Sequence, residues 1–250
     1  MTGNFQYRDE ILWKLSLLAK GDPIPAITYG DNAVGMTLLS ALGIEYSSSA
    51  KPMYHGIVIN ARRRTPTGNS NRVNLFAQVP NWIISHIKSS TELLNRYGYN
   101  VENSENRLFC TVSSRGPNSQ GLLLMVDRNA DLLNEVAIEN GKICPVVTWN
   151  LEKLADRLVS THPETIWVTA TVFKKEGQEY YQYREAVYTG PPKIGMLPDL
   201  ITAGTITVDH LIGKKNGKVT EKGPLFKINP DNFSLLFPIN EKYDLMTYDL

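Results

Sequence analysis

The chain has 250 residues, 42% hydrophobic and 20% charged, the balance of a globular protein with a sizeable core. Lysine and arginine number 26 against 25 aspartates and glutamates, a formal net charge of +1, which excludes a general polycation; any affinity for nucleic acid must come from local basic segments. Cys110 and Cys144 form neither a metal-ligand spacing nor a disulfide framework, no apolar run reaches the length of a bilayer span, and the N-terminus lacks a signal-peptide layout, so the expected setting is a reducing cytoplasm without membrane attachment.

In chain order, residues 8–20 place Ile11, Leu12, Leu15 and Leu18 at helical spacing, and Gly21 ends the run. Residues 34–42 read as a second short helix closed by Gly43. The apolar centre of 54–61, Ile57-Val-Ile59, predicts a buried strand. A Thr-, Gly- and Asn-rich loop over 65–71 then leads to a strand at 73–79, expected to be the hairpin partner of the first. Residues 91–97 form a helix between a serine cap at Ser90 and a stop at Gly98. Strands follow at 108–113, 122–127 and 143–148, then a helix at 151–160. A hairpin at 167–174 and 180–188 turns about Glu176-Gly177. A proline-disturbed helix at 194–203, strands at 205–212 and 224–228, and a helix at 231–236 complete the chain. Helices at both ends with mixed strands between them define an α/β (α+β) protein with a central mixed sheet. Without a linker-like segment, the expectation is a single domain over 1–250, with a catalytic-like subdomain at about 1–150 and a recognition-like one at about 151–250.

Three stretches carry a resemblance. The first is Asn32-Ala-Val-Gly-Met-Thr-Leu-Leu39. The second runs from Pro52-Met-Tyr-His-Gly-Ile-Val-Ile-Asn-Ala61 through Asn71-Arg-Val-Asn-Leu-Phe76 to Pro80-Asn-Trp82. The third joins Thr205-Ile-Thr-Val-Asp-His-Leu-Ile-Gly213, Lys214-Lys-Asn-Gly-Lys218 and Gly223-Pro-Leu-Phe-Lys-Ile228. In this order they resemble the MvaI/BcnI family of type II restriction endonucleases: its early Gly-x-Thr-x-Glu helix, its catalytic hairpin, and its basic C-terminal hairpin with the closing strand. The resemblance implies a restriction-endonuclease-like core and a Mg²⁺ held by an acid after a proline, a Glu-x-Lys pair and a glutamate on the upstream helix. Carboxylate oxygens suit that hard cation, which polarises the phosphoryl group and activates water.

At each of those places this sequence departs from the pattern. Leu39 stands for the helix glutamate, Met53 for the first acid, Val58 for the second and Asn60 for the lysine. No metal site and no cofactor are therefore expected, and the protein is expected not to be an enzyme. An active Mg²⁺-dependent endonuclease would need a centre relocated to Asp31, Glu45 or His55.

Arg62, Arg63, Arg64 and Arg72 lie on and after the catalytic strand, and Lys214, Lys215, Lys218 and Lys222 lie on the C-terminal hairpin. Guanidinium and ammonium groups suit phosphate contact, and the resemblance implies that these segments face duplex DNA. The matching hairpin of the family carries histidines near DNA; this chain has Thr220-Glu-Lys222 instead, so the family's base recognition does not transfer. Tyr180, Tyr181 and Tyr183 read chiefly as packing residues, with base stacking as the alternative. The resulting expectation is a double-stranded DNA-binding protein of nuclease fold without cleavage, a pseudoenzyme of a restriction–modification lineage. The alternatives are the relocated nuclease and a protein-interaction subunit of a restriction or defence system.

Overall fold

The computed structural model describes residues 3–45, 53–64, 72–101, 106–215 and 217–249, with side chains from Gln6 onward, that of Lys215 excepted. In chain order the elements are α1 (Gly3–Lys20), β1 (Ile24–Pro25), α2 (Ala33–Ala41), β2 (Met53–Tyr54), β3 (Ile57–Arg63), β4 (Val73–Ala77), α3 (Ser90–Tyr97) and β5 (Arg107–Val112). Then come β6 (Leu122–Asp127), β7 (Leu132–Glu139), β8 (Lys142–Asn150), α4 (Leu151–Thr161), β9 (Thr165–Lys175) and β10 (Gln178–Thr189). The last are α5 (Leu197–Thr202), β11 (Ile206–Lys215), β12 (Lys218–Glu221), β13 (Leu225–Ile228), α6 (Phe233–Leu236) and β14 (Asn240–Asp244).

The chain folds into two compact units, each assembled from non-contiguous stretches: Met1–Asn69, His162–Pro192 and Phe237–Leu250 form the first, Ser70–Thr161 and Lys193–Leu236 the second. The sequence reading instead divided the chain near residue 150. The difference arises because β9 pairs with β3 and β10 with β1, strands far earlier in the chain, a relation that local composition does not carry.

In the first unit the sheet runs β1-β10-β9-β3-β2, with β14 on β10. The β3–β9 pair is parallel and the others are antiparallel. One face is covered by α1 and α2, whose Ile11, Leu12, Leu15, Val34, Leu38 and Leu39 bury against Ile57, Ile59, Ile166, Val168, Tyr181 and Tyr183. Tyr183 lies wholly inside, and its hydroxyl donates to the Val34 carbonyl at 2.8 Å. Tyr181 and Tyr183 are thus packing residues, which removes them as a stacking platform. The β9–β10 turn falls at Glu176-Gly177 as expected, with φ of 51° and 82°, the left-handed pair of a tight hairpin.

In the second unit one sheet runs β12-β11-β13-β4, with β5 on the free edge of β11, and a second runs β6-β7-β8. Their facing sides form a sandwich core in which the Trp149 ring meets Phe226 edge-on at 5.8 Å. Ser89, one residue before the expected cap, accepts from the Glu92 amide, and Glu92 accepts from the Lys88 amide, a reciprocal closure of the N-terminus of α3. Gly98 ends that helix because a Cβ there would stand 2.3 Å from the Leu94 carbonyl oxygen.

Three expectations are corrected. The strand at Val73–Ala77 is not the hairpin partner of Ile57–Arg63: β4 pairs with β13, and β3 is flanked by β2 and β9. The strands β7 and β14 were not anticipated. In β7 the alternation is broken by a bulge between Glu135 and Val136, and its buried Glu135 reads as a surface residue in a linear pattern. The segment at 194–203 begins as a 3-10 turn, Ile194–Met196, and Pro198 sits in the first turn of α5, where its missing N–H costs nothing.

Leu38→Ala is expected to cost about 2–5 kcal/mol, the range for deleting a buried leucine side chain. Urea unfolding of the full chain checks it: the midpoint falls while the slope with denaturant is unchanged.

Candidate nucleic-acid interface and catalytic face

Strand alternation in β3 sends Ile57, Ile59 and Ala61 to the helix-covered face and Val58, Asn60 and Arg62 to the other. Met53 is the register partner of Val58, so the three hairpin positions at which the family would hold metal share that second face. Their neighbours on β9 are Thr165, Trp167 and Thr169. The indole N–H of Trp167 donates to Thr189 at 3.0 Å, and His162 Nδ1 lies 3.1 Å from the Thr165 hydroxyl. Val58 is 3% exposed, Met53 is 42% exposed, and Leu39 is buried in the core between α2 and the sheet.

This donor set does not fit a divalent hard cation. Magnesium takes carboxylate oxygens in near-octahedral geometry; of Met53, Val58 and Asn60 only the asparagine carries an oxygen in its side chain, and Leu39, expected at the helix position of the same site, lies on the opposite face of the sheet.

The residues named for a relocated centre are placed apart from one another in role. Asp31 and Glu45 are exposed on either side of α2. His55 occupies the β2–β3 turn at φ 48°, its ring stacked on Tyr7 of α1 at 4.0 Å and 9° and edge-on to Tyr54 at 4.8 Å. Lys14 donates to the Tyr54 hydroxyl at 2.8 Å, and that hydroxyl donates to Glu10. His55 and Tyr54 thereby fasten the hairpin to α1. Among the described residues no group of three or more His, Cys, Asp or Glu side chains is placed to hold a metal ion.

The arginines divide. Arg62 Nε donates to Thr169 at 3.2 Å on the catalytic-like face. Arg63 points to the opposite face, donating to the Gly30 carbonyl at 2.8 Å, the Tyr181 hydroxyl at 2.9 Å and Glu179 at 3.0 Å. Arg64 is exposed and pairs with Glu185 at 2.7 Å.

Arg72, in the second unit, precedes β4 and forks onto Asp209 of β11 at 2.8 and 3.1 Å, the planar bidentate geometry for a carboxylate. It also donates to Thr207 and to Thr111, the latter at 2.9 Å. Lys227 of β13 adds a second cation 2.9 Å from Asp209, and Thr111 of β5 donates to the same carboxylate at 2.8 Å. Two cations face one carboxylate, so the cluster carries one positive charge in excess. Burial pushes the Asp209 carboxyl up, but the hydrogen bonds from Arg72, Lys227 and Thr111 outweigh it and hold the group below its ordinary value.

Register extends this face along the sheet. Phe109, opposite Leu211, is 46% exposed, and Arg107 lies over its ring at 5.5 Å. At the end of β11 the exposed Lys214, Lys218 and Lys222 occupy the β11–β12 hairpin. The fold thus gathers Arg72, Lys227, Asp209, Thr111 and Thr207 into one polar patch flanked by lysines. Sequence reasoning had Arg72 and the lysines but missed Asp209, Thr111 and Thr207. The one available signal was the Thr-Val-Asp alternation of β11, which puts Thr207 and Asp209 on the same side.

A mixed sheet with one parallel pair and a short antiparallel hairpin in one unit, and two facing antiparallel sheets in the other, are the parts of a restriction-endonuclease-like protein. The chain belongs to the MvaI/BcnI restriction endonuclease family, whose model matches residues 12–237. Among solved structures it is similar to a restriction endonuclease MvaI–cognate DNA substrate complex, at 23% identity, over 98% of this chain and 99% of that one, with a TM-score of 0.79. It is also similar to restriction endonuclease MvaI in the absence of DNA, at 21% identity, over 98% of both chains, with a TM-score of 0.56. No curated protein sequence matches. The fold expected from the ordered motifs is therefore the fold observed. Among the described residues no helix is long and apolar enough to cross a membrane.

Asp209→Asn is expected to lower stability by about 1.5–3 kcal/mol at neutral pH, because it leaves Arg72 and Lys227 without their anion. The sign follows from the lowered carboxyl: this stability is present above the ordinary aspartate value and is lost as pH falls through the lower folded-state value. Denaturant midpoints of wild type and D209N, measured from neutral to acid pH, should converge at the acid end.

Proposed function

We propose that this protein binds double-stranded DNA and does not cleave it through the metal site usual for its family. The observation that carries the reading is the contrast between two faces. The hairpin positions expected to hold Mg²⁺ are Met53, Val58 and Asn60, none of which carries a carboxylate. The β11 face presents Arg72 and Lys227 around Asp209, with Lys218 and Lys222 at its hairpin end, while Lys214 leaves β11 on the other side. Support for duplex DNA as the partner comes from family membership and from the solved relative held on its cognate DNA.

In this reading the lysines of the β11–β12 hairpin contact phosphates and contribute the salt-dependent, sequence-independent part of the affinity. Arg72 has its terminal N–H groups committed to Asp209, Thr207 and Thr111, so with Lys227 it contributes the cluster's one excess positive charge to phosphate attraction rather than a base contact. Arg63 has its guanidinium committed to Glu179, Tyr181 and Gly30 and supports the sheet instead. Loss of carboxylates from the catalytic-like face also removes a source of repulsion toward phosphate, and this favours retention of DNA over turnover.

The test measures duplex binding across a salt series and plasmid cleavage with Mg²⁺ and Mn²⁺ on one preparation. Binding that weakens steeply with salt, with no nicking, is expected. Cleavage by the purified protein overturns the inactive reading, and absence of binding at low salt overturns the DNA-binding one. Changing Lys214, Lys218 and Lys222 together to alanine should flatten the log K against log salt slope by about 0.9 for each phosphate contact removed.

A further inference from the structure

Beneath the Asp209 cluster lies a feature that DNA contact does not use. His210 follows Asp209 on β11 and points the other way, into the sandwich core. Its Nε2 stands 2.8 Å from Glu135 Oε2 on β7, and both side chains are 0% exposed. The other ring nitrogen, His210 Nδ1, and the other carboxylate oxygen, Glu135 Oε1, have no hydrogen-bond partner among the described residues. A pair so placed has no solvent to share its charge, so each member depends on the other, and removing one leaves an uncompensated buried group.

The location matters as much as the burial. On one edge of β11, residues 206–209 pair with β13 and residues 212–215 pair with β12. His210 sits at the step where that edge changes partner, and the ladder is thinnest there. On the other edge it lies opposite Cys110 of β5. The ion pair therefore ties β11 to the second sheet at the point where its own ladder constrains it least, one residue from the carboxylate that orients Arg72 and Lys227.

Resting on the DNA-binding reading above, we propose that His210 is a positioning residue for the β11 face: its ion pair with Glu135 holds the strand so that Asp209 presents Arg72 and Lys227 in register for DNA. The charged groups around the imidazole are Glu135 from β7, Glu221 from β12 and Asp209 on β11 itself, with the Cys110 thiol beside it on β5. Burial alone would favour the neutral ring; the Glu135 charge and hydrogen bond, with Glu221 and Asp209 behind them, outweigh it and raise the imidazole above its ordinary value. Burial pushes the Cys110 thiol up to about 12, with Glu135 adding to the rise, so the thiol stays protonated beside the pair at neutral pH. The lock is present below the ordinary imidazole value and is lost as pH rises through the raised folded-state value, which places the release on the alkaline side.

The experiment follows the His210 ring resonances by NMR, and in parallel the anisotropy of a fluorescein-labelled mixed-sequence duplex, from mildly acid to alkaline pH at constant low salt, for wild type and Glu135→Gln. In wild type, affinity should hold below the ordinary imidazole value and then fall as pH rises through the raised His210 value, by up to about tenfold per pH unit, the limit for one linked proton, in step with the His210 titration and with unchanged far-ultraviolet circular dichroism. E135Q keeps a hydrogen-bonding partner for the ring without the charge; it should bind more weakly at neutral pH and lose the alkaline fall. A His210 that titrates at or below the ordinary imidazole value overturns the proposal, as does an alkaline fall that persists in E135Q or one that tracks loss of secondary structure. If E135Q does not fold, coincidence of the wild-type NMR and binding transitions supports the lock and their separation overturns it. If the duplex fails to bind at every pH, the DNA-binding reading fails and with it the proposed role, while the NMR titration still reports separately whether the ion pair exists.

Discussion

The second unit is organised by the two-residue period of β11. Successive side chains leave a strand on opposite sides, so Asp209 and His210, adjacent in the chain, serve different environments. Asp209 gathers Arg72, Lys227 and Thr111 on a partly solvated face, and His210 enters the core and meets Glu135. A slip of one residue in this strand would bury the carboxylate against apolar neighbours and expose the imidazole. Register with β13 and β5 therefore fixes both the electrostatics of the outer face and the ionic bond of the core.

The first unit rests on one face of its sheet. Its stability comes from α1 and α2 packed on the face carrying Ile57, Ile59, Tyr181 and Tyr183, and none of these residues has a catalytic assignment. The opposite face of β3 carries Val58, Asn60 and Arg62, beside Thr165, Trp167 and Thr169 of β9. A buried valine there packs without the desolvation cost that a carboxylate would impose in the absence of its metal.

Much of the architecture was legible in the residues. The helix at Ile11–Leu18, the strand at Ile57–Ile59 and the turn at Glu176-Gly177 each follow from short-range pattern. The pairing of β4 with β13 was not legible, because the polar loop between the first two strands reads as an ordinary hairpin connection while the true partner lies about a hundred and fifty residues later. The strand β7 was missed for a related reason: Glu135 is inward-facing, and only its distant partner makes a buried glutamate tolerable.

For the candidate sites the division is similar. That Leu39, Met53, Val58 and Asn60 carry neither a carboxylate nor an amine is a matter of residue identity, and the sequence alone determined it. Which basic groups are committed and which face solvent was decided only by tertiary structure: Arg63 is spent on Glu179 and Tyr181 and Arg72 on Asp209, Thr207 and Thr111, whereas Lys218 and Lys222 are exposed. A side chain's charge is local, but its partner is set by strand register and by which face the pleat assigns it, and those are properties of the assembled sheets.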